Sequence, residues 1–307
     1  MSYNTNYLTT QDAPGSTGNA RALKFCPGTV RWVNSGGGGS TTSGGLTPAA
    51  AYTTLASAIS ASSAGDTIYL MEGHNENIGN EQINVSVAGL KIIGLGYGTR
   101  RPRFDFDHAN ASINIAASNV YMSNIRLLPS VTAVLIGIDI ETLNTDTTLE
   151  DIEVLPGEDG AGVDEFVLGI DLKVGVDRTV IRRFKYRQHA SAANTNAGIS
   201  LSGASDDIFI DDCDIKLLGT DAVAPIKGIT TLSTNVRIRN CVLTSDAEPG
   251  IELLTGTTGT IENCYIFSDL ATIAAAIVAD GCACFENYYV EVGNESGALI
   301  KTASADD

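Results

Sequence analysis

Between residues 198 and 292 one short pattern returns four times, and that recurrence limits what the chain can fold into. It reads Ile210-Asp211-Asp212-Cys213-Asp214-Ile215, Ile238-Arg239-Asn240-Cys241-Val242-Leu243, Ile261-Glu262-Asn263-Cys264-Tyr265-Ile266 and, weakened, Phe285-Glu286-Asn287-Tyr288-Tyr289-Val290. The Asn/Asp centres are Asp212, Asn240, Asn263 and Asn287, so the steps are 28, 23 and 24 residues. A period in the twenties marks stacked structural repeats. The same frame extends backwards to Arg183, Asp151 and Asn124.

A second strand precedes most centres at a nearly fixed offset. Gly137-Ile138-Asp139-Ile140, Gly169-Ile170-Asp171-Leu172 and Gly198-Ile199-Ser200-Leu201 each begin 14 residues before a centre, Gly228-Ile229 begins 12 before, and Gly250-Ile251-Glu252-Leu253 begins 13 before. Apolar residues alternate with a period of two, which is a strand signal and not a helical one. Each repeat is one turn of a coil, and the stacked coils form a parallel β-helix. The corners Asn124, Asp151, Asp212, Asn240, Asn263 and Asn287 have a steric reason: a sharp bend needs a left-handed backbone, which Asn and Asp tolerate best after Gly. Stacked about 4.8 Å apart, such side chains can bond one another up the column. Gly94 is expected at the same corner, 30 residues before Asn124.

These signals predict an all-β chain, a parallel β-helix of about eight coils over residues 26–302. A polar arm (1–25) precedes it and a short tail (303–307) follows. Near the start, Thr47 and Pro48 suit a helix start, and Tyr52, Leu55 and Ile59 mark an apolar stripe. An α-helix over 48–62 is therefore expected to plug the open end of the stack, since a solenoid's terminal unit must cover the core its neighbour exposes. Leu299-Ile300 adds a last strand. Longer loops are expected at 156–165, 187–197 and 220–225.

The formal charge of −17 argues against a nucleic-acid or anionic-membrane partner, since both need a basic face. The first residues show neither a basic flank nor an apolar run, so no signal peptide is visible, and no apolar stretch is long enough to span a membrane as a helix. Cys213, Cys241 and Cys264 occupy one place in successive coils and read as a ladder of buried thiols; a bridge between coils is geometrically possible. Cys26 stands apart, and Cys282-Ala283-Cys284 has the wrong spacing for zinc.

With this repeat the chain resembles the right-handed parallel β-helix proteins of the pectin-lyase-like class over about residues 28–302. Val30-Arg31-Trp32-Val33-Asn34, the Gly-rich run, Gly45-Leu46-Thr47-Pro48, then Gly65-Asp66-Thr67-Ile68-Tyr69-Leu70 and Gly73-His74-Asn75-Glu76 are more particular. This opening is similar to that of β-helix proteins encoded among the virion structural genes of tailed bacteriophages. The resemblance implies a particle component made in the host cytoplasm and commonly trimeric. Such a component is either a decoration (cement) protein on the capsid surface, touching the major capsid protein or another head protein, or a tail spike that binds or degrades host polysaccharide.

Enzymes on this fold act on acidic polysaccharides with outward carboxylates, Ca²⁺ or Arg/Lys. The minority candidates for catalysis here are Asp139 and Asp171, outward on one strand of adjacent coils, a spacing that suits a retaining glycosidase. The plainer expectation for them is a solvated acidic column with Lys173 beside it. Phe106-Asp107-His108 lacks the context of a lyase motif, and His74 reads as a hydrogen-bonding residue. Arg182, Arg183, Lys185 and Arg187 form a basic cluster ahead of His189, read as a dock for an acidic neighbouring subunit. No cofactor or metal is expected. The reading is a non-enzymatic virion decoration protein.

Overall fold

The computed structural model describes residues 28–36, 44–157, 164–188, 195–218, 224–246, 248–268, 276–291 and the strand Ala298–Ile300. The expected arm and tail, Cys26, His189 and much of the three predicted loops lie outside these residues.

The chain winds through three parallel ladders. The first ladder begins Val30–Val33, Thr67–Leu70 and Lys91–Gly94, and continues through the leading halves of Tyr121–Pro129 and Thr148–Val154. It ends with Val180–Arg182, Phe209–Asp211, Val236–Arg239, Gly259–Glu262 and Cys282–Phe285. The second runs from Asn75–Ile78 and Arg103–Phe106 through the trailing halves of the same two long strands. Lys185–Arg187, Asp214–Lys216, Val242–Thr244, Tyr265–Ser268 and Asn287–Glu291 follow, and Ala298–Ile300 then pairs antiparallel as the last strand. The third holds eight strands, from Ile83–Val85 to Ile277–Val278. The stack is a parallel β-helix of about seven coils.

The inward positions explain why the coils stack. In the third ladder one column is isoleucine at every rung: Ile83, Ile113, Ile138, Ile170, Ile199, Ile226, Ile251 and Ile277. A parallel strand buried on its inner face favours β-branched side chains, which pack on like neighbours above and below. Each full burial contributes about 2 kcal/mol. The glycines ahead of these isoleucines serve close approach: a Cβ on Gly169 would overlap the carbonyl oxygen of Gly198. In the next coil the sequence reading is three residues out. Ile226, not Ile229, enters the column, and Gly228 ends its strand opposite Leu201.

The corners are left-handed as expected at Asn124 (φ 59°), Asp151 (55°), Asp212 (54°), Asn240 (55°) and Asn263 (52°), and also at Arg183 (50°). In the last coil the corner is Glu286 (φ 50°) and not Asn287. Tyr265 pairs with Tyr288, so Asn287 falls one step later, in the place Cys264 holds below. Gly94 is in register with the corner but is not left-handed; it is glycine because a Cβ would collide with the Asn124 carbonyl, and its own carbonyl accepts a 2.8 Å bond from Asn124 Nδ2. The column bonding is present where Asn263 Nδ2 donates to Asn240 Oδ1 (2.7 Å).

A second column of corners, five residues ahead of the first, is also left-handed: Gly89, Asn119, Asp146, Arg178, Asp207 and Asn235. The constant offset of five (124 to 119, 151 to 146, 183 to 178, 212 to 207, 240 to 235) was legible in the sequence and was missed.

The expected helix over 48–62 is split. Pro48–Ala50 is one 3₁₀ turn, residues 51–54 are not helical, with Tyr52 bridging Val33, and the α-helix α1 spans only Leu55–Ser60. Thr54 is its cap, accepting from the Ser57 N–H at 3.3 Å. The Tyr52 N–H and carbonyl are held by Trp32 and Asn34, so they cannot serve a helical turn. Leu55, Ala58 and Ile59 are buried in the common core.

Candidate functional site

Asp139 and Asp171 are in-register neighbours on the third ladder, as the sequence spacing implied. They alternate with buried Ile138, Ile140, Ile170 and Leu172 and so lie on the outer face. They are not solvated, however: Asp139 is 7% exposed and Asp171 is 1% exposed. Lys173 Nζ lies 2.6 Å from Asp171 Oδ2 and 3.6 Å from Asp139 Oδ1. The Ser202 hydroxyl donates to Asp171 Oδ1 and lies 3.0 Å from the Ser200 hydroxyl. Burial pushes the Asp139 carboxyl up to about 7; the Lys173 ammonium opposes this, while the Asp171 and Glu141 carboxylates add to it. Burial pulls Lys173 down, but its bond to Asp171 and the nearby carboxylates outweigh that and raise it.

A proton-holding carboxyl beside a second carboxylate is the chemical requirement for acid–base work. Here the Lys173 ammonium already bridges the two, and the Ser202 hydroxyl takes up the other oxygen of Asp171. The outer column containing the pair is polar up to its last rung: Asn84, Asn114, Asp139, Asp171, Ser200, Lys227 and Glu252 stand in register, and Val278 ends it. Asn114 Nδ2 donates to Asn84 Oδ1 (3.2 Å) and accepts at Oδ1 from Ser112 (2.6 Å). This group ties coil to coil.

The basic cluster is likewise spent within the chain. The coil carrying Arg178, Arg182, Arg183, Lys185 and Arg187 lies between one bearing Asp146, Glu150, Asp151 and Glu153 and one bearing Asp207, Asp211, Asp212 and Asp214. Arg183 reaches Asp151 (2.7 Å) and Glu150 (2.6 Å), Arg178 grips Asp146 (2.7 Å), and Lys185 meets Glu153 (3.6 Å). Upward, Arg182 approaches Asp211 (3.7 Å) and Arg187 bonds Asp214. Asp211 also accepts from Arg239 in the following coil (2.9 Å). Opposite charges directly across a ladder stabilise and like charges repel, so this layering penalises a one-coil slip. Its signal was present as alternating sign at fixed repeat positions: Glu150, Arg182, Asp211, Arg239, Glu262.

Below this lies a second network. Glu153 faces Arg101 (3.4 Å) and Arg126 (3.4 Å) as well as Lys185, and Arg101 further donates to the carbonyls of Ile125 and Asp151. The opening motif is explained by similar ties. Asp66 accepts from the Thr29 N–H (2.7 Å) and the Ser63 N–H (2.9 Å). His74 Nδ1 accepts from the Ser35 N–H (3.0 Å), which leaves Nε2 as the donor to Glu76 (3.1 Å), and Glu76 in turn accepts from the Leu55 N–H at the start of α1 (2.8 Å). His74 is thus a buried hydrogen-bonding residue, as read. His108 Nδ1 accepts from the Asn110 N–H (3.1 Å), a local turn bond.

Cys213, Cys241 and Cys264 stack in one inward column as free thiols, continuing Ile125, Ile152 and Phe184 from the coils below. The neighbouring thiols and burial together hold Cys241 and Cys264 protonated. Asn287 ends the column: its Oδ1 accepts from the Cys264 N–H (3.0 Å) and its Nδ2 donates to the Ile261 carbonyl (2.9 Å). Cys282 and Cys284 are half-buried on the last strand of the first ladder. Among the described residues no group of three or more His, Cys, Asp or Glu is placed to hold a metal ion, and no helix is long and apolar enough to cross a membrane.

The chain matches no known family model, no curated protein and no solved structure. The fold and the geometry above are therefore the basis for a functional reading.

Proposed function

We propose that the chain is a non-enzymatic virion structural protein of a tailed bacteriophage, a capsid decoration (cement) protein that stands as a homotrimer on the head and stabilises it. Its partners are further copies of itself and the major capsid protein or another head protein. The observation that carries this reading is the closure of the in-register pair Asp139 and Asp171, by Lys173 against both and Ser202 against Asp171. The residues best suited to chemistry bind their neighbouring coils, as do the layered charges, and the result suits a rigid post. The similarity of the opening segment adds the particle context.

A tail spike that binds or degrades host polysaccharide is the second reading. It is favoured by Tyr265, which is 42% exposed and stacks on Tyr288 with ring centres 5.0 Å apart, since aromatic faces serve sugars as platforms. Counting copies per particle, by cryo-EM or a calibrated gel, separates the two. Many copies in register with the head lattice support decoration. A few copies at the tail, or sugar release that Asp139→Asn or Asp171→Asn abolishes, would refute it.

A further inference from the structure

The outer face of the second ladder changes character along the stack. In the earlier coils one outward column is charged from Arg103 on, through Arg126, Glu153, Lys185 and Asp214, and the column beside it holds Asp105, Leu128, Arg187 and Lys216. In the last three coils the same positions are Val242 with Thr244, Tyr265 with Phe267, and Tyr288 with Val290. These six side chains carry no formal charge, and Val242 (39%) and Tyr265 (42%) are the most open of them. The other two faces are charged in the first two of these coils, with Arg239 and Glu262 on the first ladder and Lys227 and Glu252 on the third, and turn apolar only in the last, at Phe285 and Val278.

We infer that this face of the last three coils is the surface on which a second copy of the chain packs side by side; the inference rests on the self-association within the proposed function. The occupant follows from charge. Two chains of formal charge −17 repel wherever carboxylates meet, and like charges set against each other cost several kcal/mol across an interface. Among the described residues this is the face whose outward strand positions stay free of formal charge over the last three coils, so two copies approach on it without that cost. Contiguous exposed apolar patches mark such sites. A stable interface needs about 20–30 residues a side, so the six side chains form its apolar centre, with polar neighbours such as Lys216 and Asn263 at the rim.

Sedimentation velocity of the full chain over a wide concentration range tests this, with Tyr265→Lys and Val242→Lys as variants and Thr260→Lys, on the outer face of the first ladder, as the control. The wild type and Thr260→Lys are expected to associate, and Tyr265→Lys to weaken association at least about tenfold, as loss of a central interface aromatic does. All positions are on an outer face, and an unchanged melting curve verifies that each variant folds. A wild type that stays monomeric overturns the inference. So does equal association of all variants, which would leave the virion reading intact and move the contact elsewhere. Polysaccharide that quenches tyrosine fluorescence in a monomeric wild type assigns the face to sugar and also overturns it. Absence of the protein from particles would sink the virion reading while leaving the solution result untouched.

Discussion

Replacing Asp139 by Asn stabilises the stack by an amount that grows between about pH 4 and about pH 7 and is constant above. The folded carboxyl titrates near 7 instead of 3.8 because it is buried on the outer column of the third ladder. Its folded pKa lies above its unfolded one, so the native state keeps a proton that the unfolded chain has already lost. Stability therefore falls as pH rises through this window. The shift is about 3 units at about 1.4 kcal/mol each, which gives a ceiling of about 4 kcal/mol. Relaxation around a side chain that is still 10% exposed reduces this to roughly half, about 2 kcal/mol. Asn keeps the shape, carries no charge and leaves Asp171 its 2.6 Å contact with Lys173. Equilibrium urea unfolding of both proteins at a series of pH values measures the difference. A difference independent of pH, or an Asn variant less stable at alkaline pH, would refute the reasoning and show an ionised Asp139 paired to Lys173 in the fold. The same variant, assayed for sugar release, also tests whether the pair does chemistry.

Glu153→Gln is expected to lower stability by about 2–4 kcal/mol, because Arg101 (15% exposed) and Arg126 (16%) lose their shared carboxylate in a mostly buried place; a melting temperature equal to wild type would contradict this. Asn287→Ala strands the Cys264 N–H and the Ile261 carbonyl and is expected to cost about 2–3 kcal/mol, whereas Glu286→Gly, at the true corner, is neutral or stabilising. Urea titrations of the two variants separate a buried cap from a corner residue. A thiol reagent is expected to leave Cys213, Cys241 and Cys264 unmodified in the native protein and to label all three once it is unfolded. Rapid native labelling at any of them, read by mass spectrometry, would rule out a closed thiol column.

The repeat made the stack, its corners and its inward columns readable, since a parallel ladder puts equivalent residues of successive coils at the same place. Where the reading slipped, it followed a residue type in place of the ladder position. Asn287 looked like a corner because the other corners are Asn or Asp, yet the left-handed residue is Glu286. Gly228 looked like a strand start because the other starts are Gly, yet Ile226 fills the column. The helix over 48–62 had a good cap and a fair stripe, but Tyr52 gave its backbone bonds to the first strand. A propensity is a weak prior against a long-range pairing of that kind.

Sequence alone determined that the chain is a coil of short strands, where its main corners fall and which residues face inward, because all of these follow from one period and one alternation. Only the tertiary structure decided what the outward residues do. Asp139 and Asp171 are outward by alternation, but Lys173, two residues beyond Asp171, lies against both, and Ser202 of the next coil bonds Asp171. The cluster from Arg178 to Arg187 is basic along the chain and is neutralised across it, by carboxylates about 30 residues away on either side. Charge is read along the sequence but is felt through space, and in a stacked coil the nearest neighbours in space are one repeat apart.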